Sequence, residues 1–409
     1  MWPLIIGILV FEFALETLTN ALNLRTFTPE VPGEFASVID AERYARSQNY
    51  TRDRARLASW SRSVSFVLTL GFLLAGGLET LDHWVRAHFT SEISQGLAFI
   101  GVLALFRSLI SLPFQWISTF GVETRYGFNR TTPAVFVGDL VKGVVLGVIL
   151  GGAALAGVLW FLEKTGTQAW LYAWAALTVF QLLLSFFAPA VLLPLFNKFE
   201  PLPNGELDQA IRAYASNLGF KLSGVFVMDG SKRSSHSNAF FTGFGRFRRL
   251  VLFDTLIEKQ SLKELVAVFA HEVGHFRLKH IPRSLGLSLF VSFLGFYALG
   301  WLLRTPSVPL AIGLTPSSYA ALVIAAILFT PAGRLISIFS QWLSRKHEFE
   351  ADAFSAGTYG EPEALVSALK KLSAENLAHL TPHPLKVILD YTHPPILKRI
   401  EALRRFPQK

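Results

Sequence analysis

Ser261 to Leu303 reads SLKELVAVFAHEVGHFRLKHIPRSLGLSLFVSFLGFYALGWLL and changes character in its middle. Up to Lys279, apolar residues recur at helical spacing among Lys263, Glu264, Glu272, Arg277 and Lys279, the pattern of a helix in a polar setting. Ser261 is placed to cap that helix, and Glu264 three residues later completes a capping box. From 284 to 303 no charged residue interrupts the run, which meets the length of about 20 residues that a hydrocarbon core demands. A polar helix leading straight into an apolar span implies a membrane protein with a folded domain beside the bilayer.

Composition agrees. The 409 residues are 51% hydrophobic and 16% charged, with mean hydropathy +0.41, too apolar for a soluble chain of ordinary composition. There is no cysteine, which excludes disulfide frameworks, thiolate metal sites and cysteine nucleophiles together. Any metal must be held by imidazole, carboxylate or water. The net charge of +9 is read as Arg/Lys-rich cytoplasmic loops facing anionic lipid, not as a nucleic-acid surface.

Outward from the quoted stretch, seven apolar runs qualify as spans, near 3 to 20, 63 to 82, 96 to 119, 139 to 162, 169 to 196, 284 to 303 and 317 to 343. The first lacks a basic leading region and contains Glu12 and Glu16, so it reads as a retained span and not a cleaved signal. The fifth and seventh are long and contain Pro189 and Pro331, where tilt or kinking is expected. No internal repeat, lipidation motif or retrieval signal is visible. The first loop carries Arg25, Arg43, Arg46, Arg52, Arg54, Arg56 and Arg62, the second only Arg86, and the sixth (305 to 316) no basic residue at all. Odd-numbered loops are therefore placed inside and the N-terminus outside. Four segments follow: five spans over 1 to 197, the first part of a cytoplasmic domain over 198 to 283, two spans over 284 to 344, and the rest of that domain over 345 to 409.

Within the long fifth connection, Leu207 to Leu218 reads as an amphipathic helix, and Gly224 to Met228 and Leu250 to Phe253 as short strands. Ser237 to Phe244 reads as an edge strand or hairpin. The expected fold is mainly α: a seven-helix transmembrane bundle with a small α+β domain on the cytoplasmic side.

His271 and His275 stand four residues apart on the capped helix, so both imidazoles project from one face and can bind one ion. Glu272 adjoins that face. Zinc held this way acidifies water, and a neighbouring carboxylate can take the proton as a peptide carbonyl is attacked. Two satisfied histidines in a buried helix would show the same short pattern. A catalytic zinc needs a third protein ligand, and none follows three residues on. The best candidate is Arg345-Lys346-His347-Glu348-Phe349-Glu350-Ala351-Asp352, where Glu348 and Asp352 share a helical face. Glu348 can ligate and Asp352 can orient a ligand histidine, while Glu350 points elsewhere. The same stretch also fits an ordinary charged helix end just outside the bilayer.

These residues resemble the type I CAAX prenyl endopeptidases, seven-span gluzincin metalloproteases with bacterial relatives. The resemblance is carried by Asp229 to Ala239, Val251 to Leu256, the zinc helix, Ser344 to Phe354, Thr392-His393-Pro394-Pro395 and Glu123 to Thr132, in family order. It implies one zinc per chain on His271, His275 and Glu348, with Glu272 as general base and Asp352 behind a ligand. It implies that His393 donates a hydrogen bond to the oxyanion. It makes Ser237 to Phe240 a substrate-binding edge strand, with Asn238 and Ala239 holding an extended peptide. Arg399 is carried as a further substrate-side candidate, although by itself it reads as a solvated helix residue. The implied substrate is a peptide or protein cut near a prenylated C-terminal CAAX sequence, and the implied fold encloses a water-filled chamber. Glu12, Glu16, Glu79, Arg107, Gln115, Gln181 and Arg334 inside spans suit a chamber and equally suit ion pairs between helices. Short outer loops favour a bacterial inner-membrane member over one of the endoplasmic reticulum. Three other readings compete: a quality-control protease of the same chemistry, a protease with intramembrane zinc, and a channel or transporter with a vestigial motif. Lys259, Lys263, Arg277 and Lys279 disfavour the second, and the full set of His271, Glu272, His275 and Glu348 disfavours the third. Oligomeric state is not readable from the sequence.

Overall fold

A computed structural model describes residues 1–242 and 249–407. Helix α1 (Trp2–Leu24) is followed by α2 (Ala41–Leu74), capped by Asp40, whose Oδ1 accepts from the Arg43 N–H at 2.7 Å. Gly76 sits at φ 70°, a left-handed conformation that glycine adopts without a Cβ clash, and turns the chain into α3 (Gly77–His88). Helix α4 (Glu92–Trp116) runs on through a π-helical segment to Glu123. Helices α5 (Pro133–Leu146) and α6 (Gly152–Lys164) join through another, Gly147–Gly151, and α7 (Ala169–Val191) completes this half of the bundle.

The polar part begins with strand β1 (Phe199–Pro201), helix α8 (Glu206–Asn217), β2 (Gly224–Met228), β3 (Ala239–Thr242) and β4 (Arg249–Phe253). The strands form one sheet in the order β1-β2-β4-β3; β2 and β4 are parallel and the outer pairs antiparallel. The expected edge strand is thus β3, and the end of that expectation, Gly243 and Phe244, lies outside the described residues. Helix α9 (Asp254–Lys259) leads to α10 (Leu262–Arg277). Helix α11 (His280–Leu303), a turn α12 (Ser307–Leu310), α13 (Ser318–Leu328) and α14 (Thr330–Tyr359) follow. The chain closes with α15 (Pro362–Glu375), α16 (Pro384–Asp390) and α17 (Ile396–Arg404).

Among the described residues, six helical stretches are long and apolar enough to cross a membrane, and α13 with α14, bent by 54°, makes a seventh. Leu335 and Val148, each 69% exposed, and Phe290, 60% exposed, show the apolar outer faces that lipid must cover. One span differs from the sequence expectation. The second does not reach 82: α2, which begins at Ala41, ends at Leu74 and yields at Gly76 to a separate helix. In the seventh, α14 continues unbroken past 343 to Tyr359 and so carries Glu348 and Asp352 into the polar domain. Inside the bundle, Arg334 on α14 pairs with Glu12 at 2.6 Å and Glu16 at 2.8 Å on α1, and Arg62 reaches Glu16 at 3.4 Å, so two cations face the two carboxylates.

Ile211, Leu250, Leu252 and Phe269 form the core between α8, the sheet and α10. Leu365, Leu369 and Ile400 form a second core on the other side of α10 with Phe35, Ile39 and Tyr44. The segment between α1 and α2 therefore packs into the domain alongside the two larger insertions.

Candidate active site

The capping box foreseen at the start of α10 is present: Glu264 N–H donates to Ser261 Oγ, and Ser261 N–H donates to Glu264 Oε2 at 2.7 Å. Further along, the same helix presents His271, Glu272 and His275. Helix α14 comes unusually close to it at Gly274, where an added Cβ would lie 3.1 Å from both Ala351 Cα and Phe354 Cβ. That approach brings Glu348 and Asp352 against the two histidines.

His271 Nε2 and His275 Nε2 are 3.1 Å apart. Glu348 Oε1 is 3.2 Å from His275 Nε2, and Glu348 Oε2 is 3.6 Å from His271 Nε2. A tetrahedral zinc with ligand distances of about 2.0–2.1 Å has donor–donor edges of about 3.3 Å. The two imidazole nitrogens, 3.1 Å apart, and the Glu348 carboxylate, with one oxygen 3.2 Å from His275 and the other 3.6 Å from His271, therefore suit three corners of such a site. Glu348 Oε2 is buried without an aligned hydrogen bond, and its nearest cation is the Arg399 guanidinium at 3.1 Å. The opposite ring nitrogen of His271, Nδ1, lies 2.9 Å from Asp352 Oδ1, which turns Nε2 towards His275 and Glu348. Burial pushes the Glu272 carboxyl above its ordinary pKa, against the pull of the His271 and His275 imidazoles. A carboxylate so poised holds a proton more readily than a solvated one.

Similarity to known proteins decides the family. Residues 20–198 match the pattern described as CAAX prenyl protease N-terminal, five membrane helices, and residues 201–406 match peptidase family M48. The chain belongs to peptidase family M48. It is 34% identical to an Arabidopsis thaliana CAAX prenyl protease 1 homolog across 98% of this chain and 96% of that protein. It is 32% identical to Saccharomyces cerevisiae CAAX prenyl protease 1 across 100% of this chain and 96% of that protein. The crystal structure of S. mikatae Ste24p superposes with a TM-score of 0.92 at 31% identity, covering 98% of each chain. This M48 peptidase is thus a multi-pass membrane metalloendopeptidase.

The remaining expected residues of the M48 site are distributed as follows. His393 stands before α17 with its Nε2 3.5 Å from Glu348 Oε1; its side chain is 65% exposed, as suits a group at the mouth of a site. Arg399 is not a solvated helix residue. It is buried, and its guanidinium holds Asp352 through Nη2–Oδ1 at 2.6 Å and Nε–Oδ2 at 2.8 Å, with Nη1 3.1 Å from Glu348 Oε2. Helical periodicity makes it look like one more charge on a surface, because its partners lie on another helix. Ala239 opens β3 opposite Leu252, and the exposed Asn238 accepts from the Ala239 N–H through its own Oδ1 at 2.8 Å. Phe241 packs on Phe220 and Phe269, so that one of the two strand phenylalanines belongs to the core. Glu350 does point away from the His271 cluster, as expected, but it meets a second cluster with His280 and His347. Sequence reasoning passed over both histidines, although His280 stands five residues beyond His275.

Proposed function

We propose that this peptidase is a zinc endopeptidase that cuts CAAX-type substrates near a prenylated C-terminus. The convergence of His271, His275 and Glu348 carries the metal assignment, and likeness along the whole chain to CAAX prenyl proteases supports the substrate. One zinc held by those three residues would supply Lewis acidity, lowering the pKa of water and polarising the scissile carbonyl. Glu272 takes the proton of the attacking water on its carboxylate and returns it to the leaving amine. Asp352, clamped by Arg399, accepts from His271 Nδ1–H and keeps the other ring nitrogen aimed inward. Arg399 acts through that carboxylate, not on substrate. Thr392 Oγ1 lies 2.9 Å from His393 Nδ1; with the hydroxyl donating, the ring proton sits on Nε2 and can be given to the developing oxyanion.

The free side of β3 gives an extended peptide a row of backbone donors and acceptors, with Asn238 and Ala239 at its start. The spans pack together around Ile5, Phe99, Leu159 and Tyr319, and elsewhere most of their apolar length is left to lipid or to a hollow interior. Spans at 1 to 197 and 284 to 344 hold a catalytic domain made of 198 to 283 and 345 to 409, with the N-terminus outside and that domain in the cytoplasm. Compact outer loops favour a bacterial inner membrane.

The test is cleavage of a farnesylated CAAX peptide against its unprenylated twin by the purified protein, with and without chelator, alongside metal analysis. Chelator-sensitive preference for the farnesylated peptide is expected. Equal cleavage of both would favour general proteolysis of membrane proteins, and bound zinc without any cleavage would overturn the enzymatic reading.

A further inference from the structure

The two histidines of the proposed metal site are supported differently. His271 donates its Nδ1–H directly to a carboxylate, Asp352. His275 has no carboxylate there; its Nδ1 faces another imidazole nitrogen, His280 Nδ1, at 3.0 Å. His280 Nε2 in turn lies 3.0 Å from Glu350 Oε2. If His275 offers Nε2 to an ion, its single proton is on Nδ1 and must be donated outward. His280 Nδ1 is then the acceptor, so the His280 proton is on Nε2, where Glu350 accepts it. Every proton in this chain has one consistent place.

The fold bends to make the contact. Lys279, between α10 and α11, has φ 58°, a left-handed conformation unfavourable for a residue with a Cβ. That residue reverses the chain so that the first residue of α11, His280, returns beside His275. His280 is 3% exposed, and His347 covers its face at 4.0 Å with 7° between ring planes. Arg283 Nη1 at 3.5 Å and Lys346 Nζ at 3.8 Å keep Glu350 in place from the solvent side.

We propose that His280 is the positioning residue of His275: it fixes the tautomer and ring plane of that ligand and relays its proton's charge to Glu350, while His347 acts as a flat clamp. His280, His347 and Glu350 also lie close enough to suggest a second metal site. Stacking speaks against it, because parallel rings send their lone pairs into separate planes. The inference rests on the proposed function only in taking His275 as a metal ligand.

The experiment is zinc affinity of the full-length protein in detergent, by competition with a chromophoric chelator, together with the melting midpoint of the zinc-stripped protein. His280→Ala is expected to weaken zinc on the order of 10–100-fold while the stripped protein melts as wild type. His280→Gln, whose Oε1 can accept from His275, restores most of the affinity, and His347→Phe, which keeps the flat ring, binds as wild type. Should His280→Ala not fold, Glu350→Ala against Glu350→Gln asks the same question one link out, with several-fold weaker zinc expected only for the Ala variant. Wild-type affinity in His280→Ala, equal affinity in the two Glu350 variants, or a second zinc equivalent lost in His347→Phe would overturn the proposal. Failure of the underlying function looks different: wild-type protein without zinc, or undiminished zinc in Glu348→Ala.

Discussion

Arg399 closes on Asp352 as a fork on a fork, Nη2 to Oδ1 at 2.6 Å and Nε to Oδ2 at 2.8 Å, across 47 residues of chain. Both side chains are buried, and the third guanidinium nitrogen reaches Glu348. One cation therefore balances two carboxylates that the proposed site needs side by side. Removing one member of such a buried pair leaves the other uncompensated, at about 3–5 kcal/mol. Arg399→Ala is expected to lose that much stability in thermal unfolding and to hold zinc less tightly, because Asp352 no longer has a fixed orientation. Arg399→Lys restores charge but not the planar fork, so it recovers stability in part and positioning poorly. Wild-type melting and metal affinity in Arg399→Ala would contradict this account.

Glu272 tests a different link, since it is assigned no ligand role. Glu272→Gln keeps size and removes the base, so metal content and melting temperature are expected to stay at wild-type values. Peptide cleavage is expected to fall by about 100- to 10,000-fold, the usual weight of a general base. Turnover at the wild-type rate with full metal content would remove Glu272 from the mechanism.

What the sequence reveals and what it conceals divide along physical lines. Spans and the capped helix are legible because each carries its own signal, hydropathy or periodicity, within one segment. Hydropathy marks only the apolar part of α2, because the helix begins at Ala41 and runs as a polar stretch through Arg52, Arg54 and Arg56 before the apolar run starts. Its end is signalled by Gly76-Gly77, a breaker lying inside the apolar window. His271, Glu272 and His275 can be read from spacing on one helix. Arg399 and His280 cannot, since their roles depend on partners brought in from α14, and a charged or aromatic residue at a helix end looks the same whether buried or solvated.

Gly274, inside the metal motif, has a packing duty that can be tested apart from chemistry. A methyl group there would meet the Ala351 and Phe354 backbone and Cβ atoms at 3.1 Å, tighter than ordinary contact. Gly274→Ala is expected to push α14 away from α10 and cost about 1–3 kcal/mol through overpacking. The same displacement carries Glu348 away from His275, so zinc affinity should fall along with stability. A variant that loses stability but keeps wild-type zinc affinity would show that the helices adjust without moving the site.

Glu264 connects the stability of the catalytic helix to pH. Burial alone would raise its pKa, but hydrogen bonds from Lys371 at 2.8 Å, Ser367 at 2.6 Å and the Ser261 N–H at 2.7 Å outweigh it, and the folded-state value lies below the ordinary 4.5. A carboxylate with a depressed folded pKa binds fewer protons folded than unfolded, so its contribution is fully present above the unfolded value. That contribution is lost as pH falls through the folded value. Glu264→Gln is therefore expected to cost about 1–3 kcal/mol near neutral pH, measured by denaturant unfolding of the zinc-stripped protein. Stripping the metal keeps acid release of zinc out of the measurement. The gap between variant and wild type should narrow steadily as pH drops below about 4.5, because the unfolded chain then binds a proton that the folded carboxylate still refuses, and it closes once the folded carboxyl is neutral as well. A gap that stays constant across this range would mean that Glu264 stabilises the start of α10 by packing, not by charge.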